Sequence, residues 1–294
     1  MSEAIVSWQR VTKRYPRKTA LQDFSLDLGA GVHCLLGANG AGKSTALNIL
    51  CGVRTASSGE VTVLGQRVRR GGPQASLLGC VPQALSFPPT LTVAEVLRFI
   101  AIHYPEPLDF SVVEEKLQLR GIRKTQCGSL SGGQLRRLGI AAALMSNAPV
   151  LVLDEPLAGL DIDGRAQVRA LLLDLKQQGR CVIMASHDYG EIEATADTVT
   201  LIKDGSALLS DSTEAIRSTL NTHYLSFFSA DGPPSGLKNF GTLQPLGHGR
   251  YRLVTPQPDR AGRLIVETIA DPQLQIVKAS LEDAVSVLLN GEQK

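Results

Sequence analysis

Nine consecutive residues carry the strongest chemical signal in the chain: Gly37-Ala38-Asn39-Gly40-Ala41-Gly42-Lys43-Ser44-Thr45. Gly37, Gly42, Lys43 and Ser44 fit the pattern G-x-x-x-x-G-K-[ST]. Without a Cβ, glycines let successive backbone N–H groups close around phosphate oxygens. A helix opening at Lys43 turns its positive dipole end toward the same anion. Lys43 adds a mobile charge for β- and γ-phosphates, and Ser44 offers a hydroxyl to Mg²⁺. The loop therefore predicts a nucleoside triphosphate and Mg²⁺ as ligands.

A second stretch, Val-Leu-Val-Leu-Asp-Glu-Pro at 150–156, is an apolar strand ending in two carboxylates. Asp154 at the strand end can reach Mg²⁺, through a water. Glu155, where the chain leaves the sheet, can polarise an attacking water. No [NT]-K-x-D guanine-reading motif occurs, which weakens a GTPase reading. A third stretch, Leu130-Ser131-Gly132-Gly133-Gln134, stands before a helical pattern. A serine and two glycines at a helix N-terminus make another phosphate-binding nest. One nucleotide has no need of two nests from a single chain, so this one is expected to serve a nucleotide held by another copy.

These groups need a scaffold. Residues 5–11, 21–28 and 32–36 read as strands, the last running into the glycine loop. Residues 43–51 read as a helix, giving the strand–loop–helix order that a phosphate loop requires. Residues 60–64 and 78–81 are further strands. Helical patterns at 92–102 and 111–119 mark a helical insert at about 84–134. Helix 134–145, buried strand 150–153, helix 162–178 and buried strand 181–185 follow. Short, wholly apolar strands between helices predict a parallel sheet covered on both faces.

The core is expected to end at Asn221. Residues 229–249 are rich in Gly, Pro and Ser, as loops are. Residues 251–254 and 275–278 read as weak strands, and Ser280 with Asp283 as a capping box for a last helix. Leu281, Ala284, Val285 and Leu288 would form its apolar stripe. The expected organisation is thus a nucleotide-binding domain at 1–221 and an α+β appendage at 222–294. The fold class is α/β: a P-loop NTPase core with a parallel sheet, an antiparallel β subdomain and a helical insert.

Composition narrows the function classes. The 294 residues are 43% hydrophobic and 20% charged, ordinary for a globular chain. Thirty basic residues balance 28 acidic ones for a net charge of +2, which argues against nucleic acid as a partner. Arg67, Arg69 and Arg70 are read as a solvated loop. The five cysteines show neither C-x-x-C pairs nor zinc-ligand spacing, so free, mostly buried thiols in a reducing compartment are expected. The first ten residues lack the pattern of a signal peptide. The longest apolar runs fall far short of the roughly 20 residues that span a bilayer. Another subunit would have to hold the chain at a membrane.

In order and spacing, the three motifs resemble those of the ATP-binding-cassette (ABC) ATPases, and Leu130–Gln134 matches the signature of that family letter for letter. The resemblance covers residues 4–218. It implies that Tyr15 stacks on adenine and that Gln83 touches Mg²⁺ and water and faces a membrane subunit. It further implies that Asp161, in Ala158-Gly159-Leu160-Asp161, lies at a dimer interface, and that His187 contacts the γ-phosphate. Glu155, His187 and Gln83 would then be the catalytic set. Ser44, Gln83 and Asp154 would hold the metal, and Ser131, Gly132, Gly133 and Gln134 would act in trans. Leu157 and Ile162 depart from the Thr and Pro commoner in the family, without removing a ligand atom. The stretches 279–284 and 192–197 resemble drug-resistance-type bacterial export ATPases.

The expected assembly is a head-to-tail pair of copies sandwiching ATP and Mg²⁺. It would sit peripherally on the cytoplasmic face of the inner or plasma membrane, beside a separate transmembrane permease. A soluble ABC ATPase without a transport role, and a module that uses ATP only to dimerise, remain as alternatives. Glu155 argues against the second, because a site that only binds has no use for that carboxylate.

Overall fold

The computed structural model describes residues 4–219 and 222–290. The described residues divide into two compact units, one up to Ser212 and one from Thr213. The division falls ahead of the expected end at Asn221, which lies outside the described residues.

In the first unit, β1 (Val6–Tyr15) and β2 (Lys18–Leu28) pair antiparallel. Strand β3 (Gly31–Leu36) leads to α1 (Lys43–Leu50). Then β4 (Ser58–Val63) and β5 (Gln66–Arg67) complete an antiparallel sheet of order β2-β1-β4-β5. Its inner face buries Trp8 and Phe24 edge to face, with ring centroids 6.0 Å apart. Arg67, Arg69 and Arg70 are exposed as expected, but Arg67 lies in β5 rather than in a loop, and it meets Glu60 at 3.5 Å.

The helical stretch follows β6 (Leu78–Val81) and comprises α2 (Val93–Ala101), α3 (Phe110–Lys116) and α4 (Gly132–Met145). Thr92 and Glu95 cap α2 reciprocally. Helix α3 stops before residue 119 because Leu117 leaves helical geometry and Gln118 is left-handed, at φ 49°. The chain then alternates through β7 (Val150–Asp154), α5 (Ile162–Gln177), β8 (Cys181–Ala185) and α6 (Tyr189–Thr195). The hairpin β9 (Thr198–Lys203) and β10 (Ser206–Ser212) closes the unit.

The main sheet has the order β10-β9-β3-β8-β7-β6, parallel except for the β10 edge. Strands β3 and β8 are buried along their whole length. Helices α1 and α4 pack on β7, and α5 packs on β3 and β8, so the sheet is covered and alternation is absent. Because β3, β6, β7 and β8 run parallel, the loops leaving them emerge at one sheet edge. Those loops carry Lys43, Gln83, Glu155 and His187.

The second unit holds α7 (Thr213–Ser218), β11 (His223–Phe228), β12 (Thr242–Gly247), β13 (Arg250–Thr255), α8 (Pro258–Thr268), β14 (Gln275–Lys278) and α9 (Leu281–Asn290). Its antiparallel sheet has the order β12-β13-β11-β14, and Leu225, Phe227, Leu237, Leu253, Ala261 and Ile265 form its core. Ser280 and Asp283 form the expected capping box of α9, with N···O distances of 2.9 and 3.2 Å. Leu281, Ala284 and Val285 are buried, and Leu288 is half-buried. Strand β12 lies within the stretch expected to be loop, and α8 was not expected. Among the described residues no helix is long and apolar enough to cross a membrane.

Candidate nucleotide site

A cleft of about 350 Å³ opens at the sheet edge. Tyr15, Lys18, Ala20, Asn39, Gly40, Gly42, Lys43, Ser44, Thr45, Gln83, Asp154 and Glu155 line it. Residues from four separate segments of the chain thus converge on one space.

The glycine loop is shaped by its neighbours. Gly42 has φ 121°, and a Cβ there would lie 2.7 Å from the Ala20 carbonyl and 2.9 Å from Leu21. A Cβ on Gly37 would lie 2.3 Å from the Ile202 carbonyl. Both glycines are therefore dictated by chain packing as well as by any ligand. Gly37, Ala38 and Ala41 are not cleft-lining. The carbonyls of Gly37 and Ala38 accept hydrogen bonds from Lys43 Nζ at 2.6 and 3.2 Å. Ala41 is buried, and its carbonyl accepts from Gly205 N at 2.9 Å. Gly42 caps α1 with no side-chain hydrogen bond, and the first turn holds no acid. Those first-turn N–H groups are the donors that an anion satisfies.

Opposite this loop stands the carboxylate pair. Burial raises the Asp154 carboxyl above its ordinary range, while the Ser44 hydroxyl bonded to it acts the other way. A half-buried carboxylate joined to a hydroxyl, with the Gln83 amide in the same cleft, suits a hard cation that takes oxygen ligands, as Mg²⁺ does. No group of three or more His, Cys, Asp or Glu is gathered among the described residues. A cation here would therefore rest on one acid, a hydroxyl and an amide.

Glu155 sits in left-handed geometry, φ 54°, held by its N–H to the Ala185 carbonyl at 2.9 Å. His187 Nδ1 lies 2.8 Å from Glu155 Oε1, with the Glu155 side chain 13% exposed and that of His187 78%. His187 joins the site through this contact, not by lining the cleft. Tyr15, at the cleft mouth, is 38% exposed, with Lys13 Nζ 5.2 Å from its ring centroid.

The Leu130–Gln134 stretch stands apart from these residues. Ser131 and Gly132 are exposed, and none of the stretch lines the cleft. Ser131 Oγ accepts from Gln134 N at 3.2 Å, and Gln134 Oε1 accepts from Ser131 N at 3.0 Å. The stretch is thus a capping box that starts α4. Gly133 packs toward the Gly159 carbonyl, which a Cβ would approach to 3.3 Å. Asp161, exposed, caps α5 through Gly164 N at 2.8 Å.

Two residues join the site that sequence reasoning missed. Lys18 lines the cleft and donates to the Gly40 carbonyl at 2.6 Å. Arg136, in the first turns of α4, donates to the carbonyls of Gln83 at 2.9 Å and Pro82 at 3.2 Å, and reaches that of Asp154 at 3.5 Å. It ties the helix of the capping box to two walls of the cleft. Neither gave a signal, because both bind backbone carbonyls, which every residue possesses.

A family model described as ABC transporter matches residues 21–158. The chain is 30% identical over 304 residues to YcbN of Bacillus subtilis, an uncharacterized ABC transporter ATP-binding protein, spanning 98% of this chain and 97% of that one. It is 34% identical over 219 residues to Nod factor export ATP-binding protein I of Burkholderia thailandensis, spanning 70% of each. Identity of 34% over 212 residues to the arabinose import ATP-binding protein AraG of Pectobacterium atrosepticum spans 68% of this chain and 42% of that one. A solved dimeric ATP-binding cassette in a post-hydrolysis state, bound to ADP and Pi, matches with a TM-score of 0.64 at 25% identity, over 70% of this chain and 98% of that chain.

Proposed function

This chain belongs to the ABC transporter ATP-binding proteins, and on that footing we propose that it hydrolyses ATP to energise a separate membrane permease. The observation that carries this reading is the convergence of Lys43, Ser44, Gln83, Asp154 and Glu155 on one cleft, with His187 at 2.8 Å from Glu155.

The roles follow from chemistry. The bare N-terminus of α1 and the amine of Lys43 take the β- and γ-phosphates. Lys18 adds a second positive charge at the same loop. Tyr15 offers a ring face to the adenine. Ser44, Gln83 and Asp154 would hold Mg²⁺, which would supply neutralisation of the phosphate charge. Glu155 accepts the proton of the attacking water. His187 orients Glu155 and stands ready to donate to the γ-phosphate. Positioning and charge neutralisation carry this chemistry.

The exposed Ser131 and Gly132, with the half-buried Gly133 and Gln134 and the exposed Asp161, serve a nucleotide held by a second copy bound head to tail. The exposure of Ser131, Gly132 and Asp161, and the fact that none of these residues lines the cleft of its own chain, support that assignment. Two ATP molecules are sandwiched in such a pair. Loss of the γ-phosphate removes the bridge and loosens it. The pair sits at the cytoplasmic face of the membrane through the permease.

We assign the transport direction as export. The relative named for Nod factor export and the 279–284 tail favour it, against the relative named for arabinose import. The decisive experiment expresses a tagged chain in its native host and measures Mg²⁺-dependent ATPase activity with and without the membrane protein that co-purifies. Stimulation by that partner supports the reading, and the partner's cargo reports direction. Absence of any Mg²⁺-ATP turnover, alone or with partner, refutes it.

A further inference from the structure

All five cysteines are free. Cys34, Cys127 and Cys181 are buried, and burial pushes the thiols of Cys34 and Cys181 up to about 12. Such shielded thiols react poorly with oxidants. Cys51 is raised as well, first by the hydrogen bond from Cys80 and then by burial, but unlike the other three it has an exposed thiol beside it. Cys51 closes the C-terminal end of α1, its N–H bonded to the Leu47 carbonyl at 2.9 Å. Cys80 lies in β6, is exposed, and pairs in register with Val152 of β7. Although 29 positions apart in sequence, their sulfurs stand 2.9 Å apart, Cys80 donating to Cys51. A disulfide needs about 2.05 Å between sulfurs, so less than about 1 Å of travel closes the bond.

We propose that Cys51 and Cys80 form an oxidisable dithiol whose disulfide ties the phosphate-loop helix to the strand leading into Gln83 and slows turnover. The slowing rests on the ATPase reading above; the bond itself does not. The co-reactant is a hydroperoxide, with hydrogen peroxide the simplest. Cys80, the exposed thiol, attacks one peroxide oxygen as thiolate; the O–O bond breaks, leaving Cys80 sulfenic acid and releasing water. The Cys51 sulfur then attacks the sulfenic sulfur; the S–O bond breaks, and the oxygen leaves as water, taking up the Cys51 proton. Two thiols and one hydrogen peroxide give one disulfide and two waters. Thiol reductants reverse it.

The consequence follows from what the two segments carry. Helix α1 begins with Lys43 and Ser44, and β6 continues through Val81 and Pro82 to Gln83. All three functional side chains line the cleft. With the C-terminal end of α1 bonded to Cys80, near the end of β6, any shift of Gln83 against α1 has to be taken up by Val81 and Pro82, the latter with fixed φ.

The test uses the reduced full chain, treated with hydrogen peroxide, alkylated, digested and mapped by mass without reduction. The expected product is a Cys51–Cys80 linked peptide pair. Mg²⁺-ATP turnover should fall by at least about threefold, the lower range for coupled segments, and recover with dithiothreitol. Cys80→Ser should abolish both the link and the peroxide-sensitive loss, while keeping the turnover of the reduced protein. Cys51→Ser repeats the test should the first variant fail to fold. Oxidation of Cys80 to sulfinic acid without pairing overturns the site. A quantitative link with unchanged turnover overturns the slowing, as does peroxide sensitivity that persists in both variants at the wild-type level. A reduced wild-type chain with no turnover refutes the ATPase reading and leaves the mapped bond to stand or fall by itself.

Discussion

Two helices of this chain begin at glycine-rich loops, and they begin in opposite ways. Helix α1 follows Gly42, has no side-chain cap, and lies beside Lys18 and Lys43 in a walled cleft. Helix α4 follows Ser131, whose hydroxyl and N–H are both engaged by Gln134, on an exposed surface. The orphan N–H groups at the start of α1 need an anion. Those of α4 are partly served by the chain itself. The first end is thus open to an anion from outside the chain. The second is, on the function proposed above, a half-site that lends a hydroxyl and a helix dipole to a phosphate brought by another molecule.

The largest expected effects test the first end. Glu155→Gln removes the base but keeps the shape. Steady-state ATP turnover should fall by about 10²-fold or more, with nucleotide affinity retained and an ATP-bound pair accumulating in gel filtration. Undiminished hydrolysis would refute the role of Glu155. Lys43→Ala removes charge-assisted bonds worth about 1.5–3 kcal/mol each, so ATP affinity by titration calorimetry should weaken by roughly 10–150-fold.

The second end is tested by Ser131→Ala. Loss of the cap should cost about 1 kcal/mol of stability by denaturant titration. Turnover should drop more than that loss explains, while ATP binding to the isolated chain stays near wild type. Mixing Ser131→Ala with Lys43→Ala copies discriminates further. A head-to-tail pair of one each contains one intact site, so the mixture should recover turnover that neither variant shows alone. No recovery would place both ends in service of the same cleft.

Much of this contrast was legible in sequence, because motif and element boundaries coincide. The apolar run at β8 was bounded correctly, and the helix at α5 to within one residue, since burial on both faces leaves an unbroken hydrophobic signature. The hairpin β9–β10 was missed despite its Asp204-Gly205 turn, both residues at positive φ. Strand β12 contains Pro245, which reads as a loop residue, yet β12 is the edge of its sheet, where proline is tolerated. Helix α8 opens at Pro258 with no side-chain cap, so its start signal was proline alone. Lys18 and Arg136 were illegible for another reason: their partners are backbone carbonyls placed by tertiary folding.

Arg136 links the two ends, since it stands in α4 and holds the Gln83 and Asp154 segments. As a positioning residue it should affect kcat more than KM. Arg136→Ala should lower kcat by about tenfold, in line with the coupling energies of linked segments, and leave the KM for ATP within about twofold. Arg136→Lys, which still donates but cannot fork to two carbonyls, should recover part of it. A uniform fall in stability with an unchanged kcat would reduce Arg136 to a structural tie.

The smallest effect is electrostatic and separates the ends by pH. Burial raises the Asp154 carboxyl, so the folded chain holds that proton to higher pH than the unfolded chain does. The stability linked to this group is greatest below about pH 3.9, the ordinary carboxylate value, and declines as pH rises through the raised folded value. At neutral pH the charged carboxylate is a net cost to the cleft in the absence of Mg²⁺. Asp154→Asn keeps an acceptor for Ser44 and removes the charge. Its Tm without nucleotide at about pH 7.5 should exceed that of wild type by about 1–2 °C, small because the carboxylate is partly exposed. The gap should narrow as pH falls toward the ordinary carboxylate range, as wild-type Asp154 takes up its proton. Adding Mg²⁺-ATP should reverse the order, since the wild-type carboxylate then gains a cation. Ser131→Ala should show no such dependence, because the α4 box holds no titratable group. Parallel Tm curves for wild type and Asp154→Asn would erase this electrostatic difference between the two helix ends.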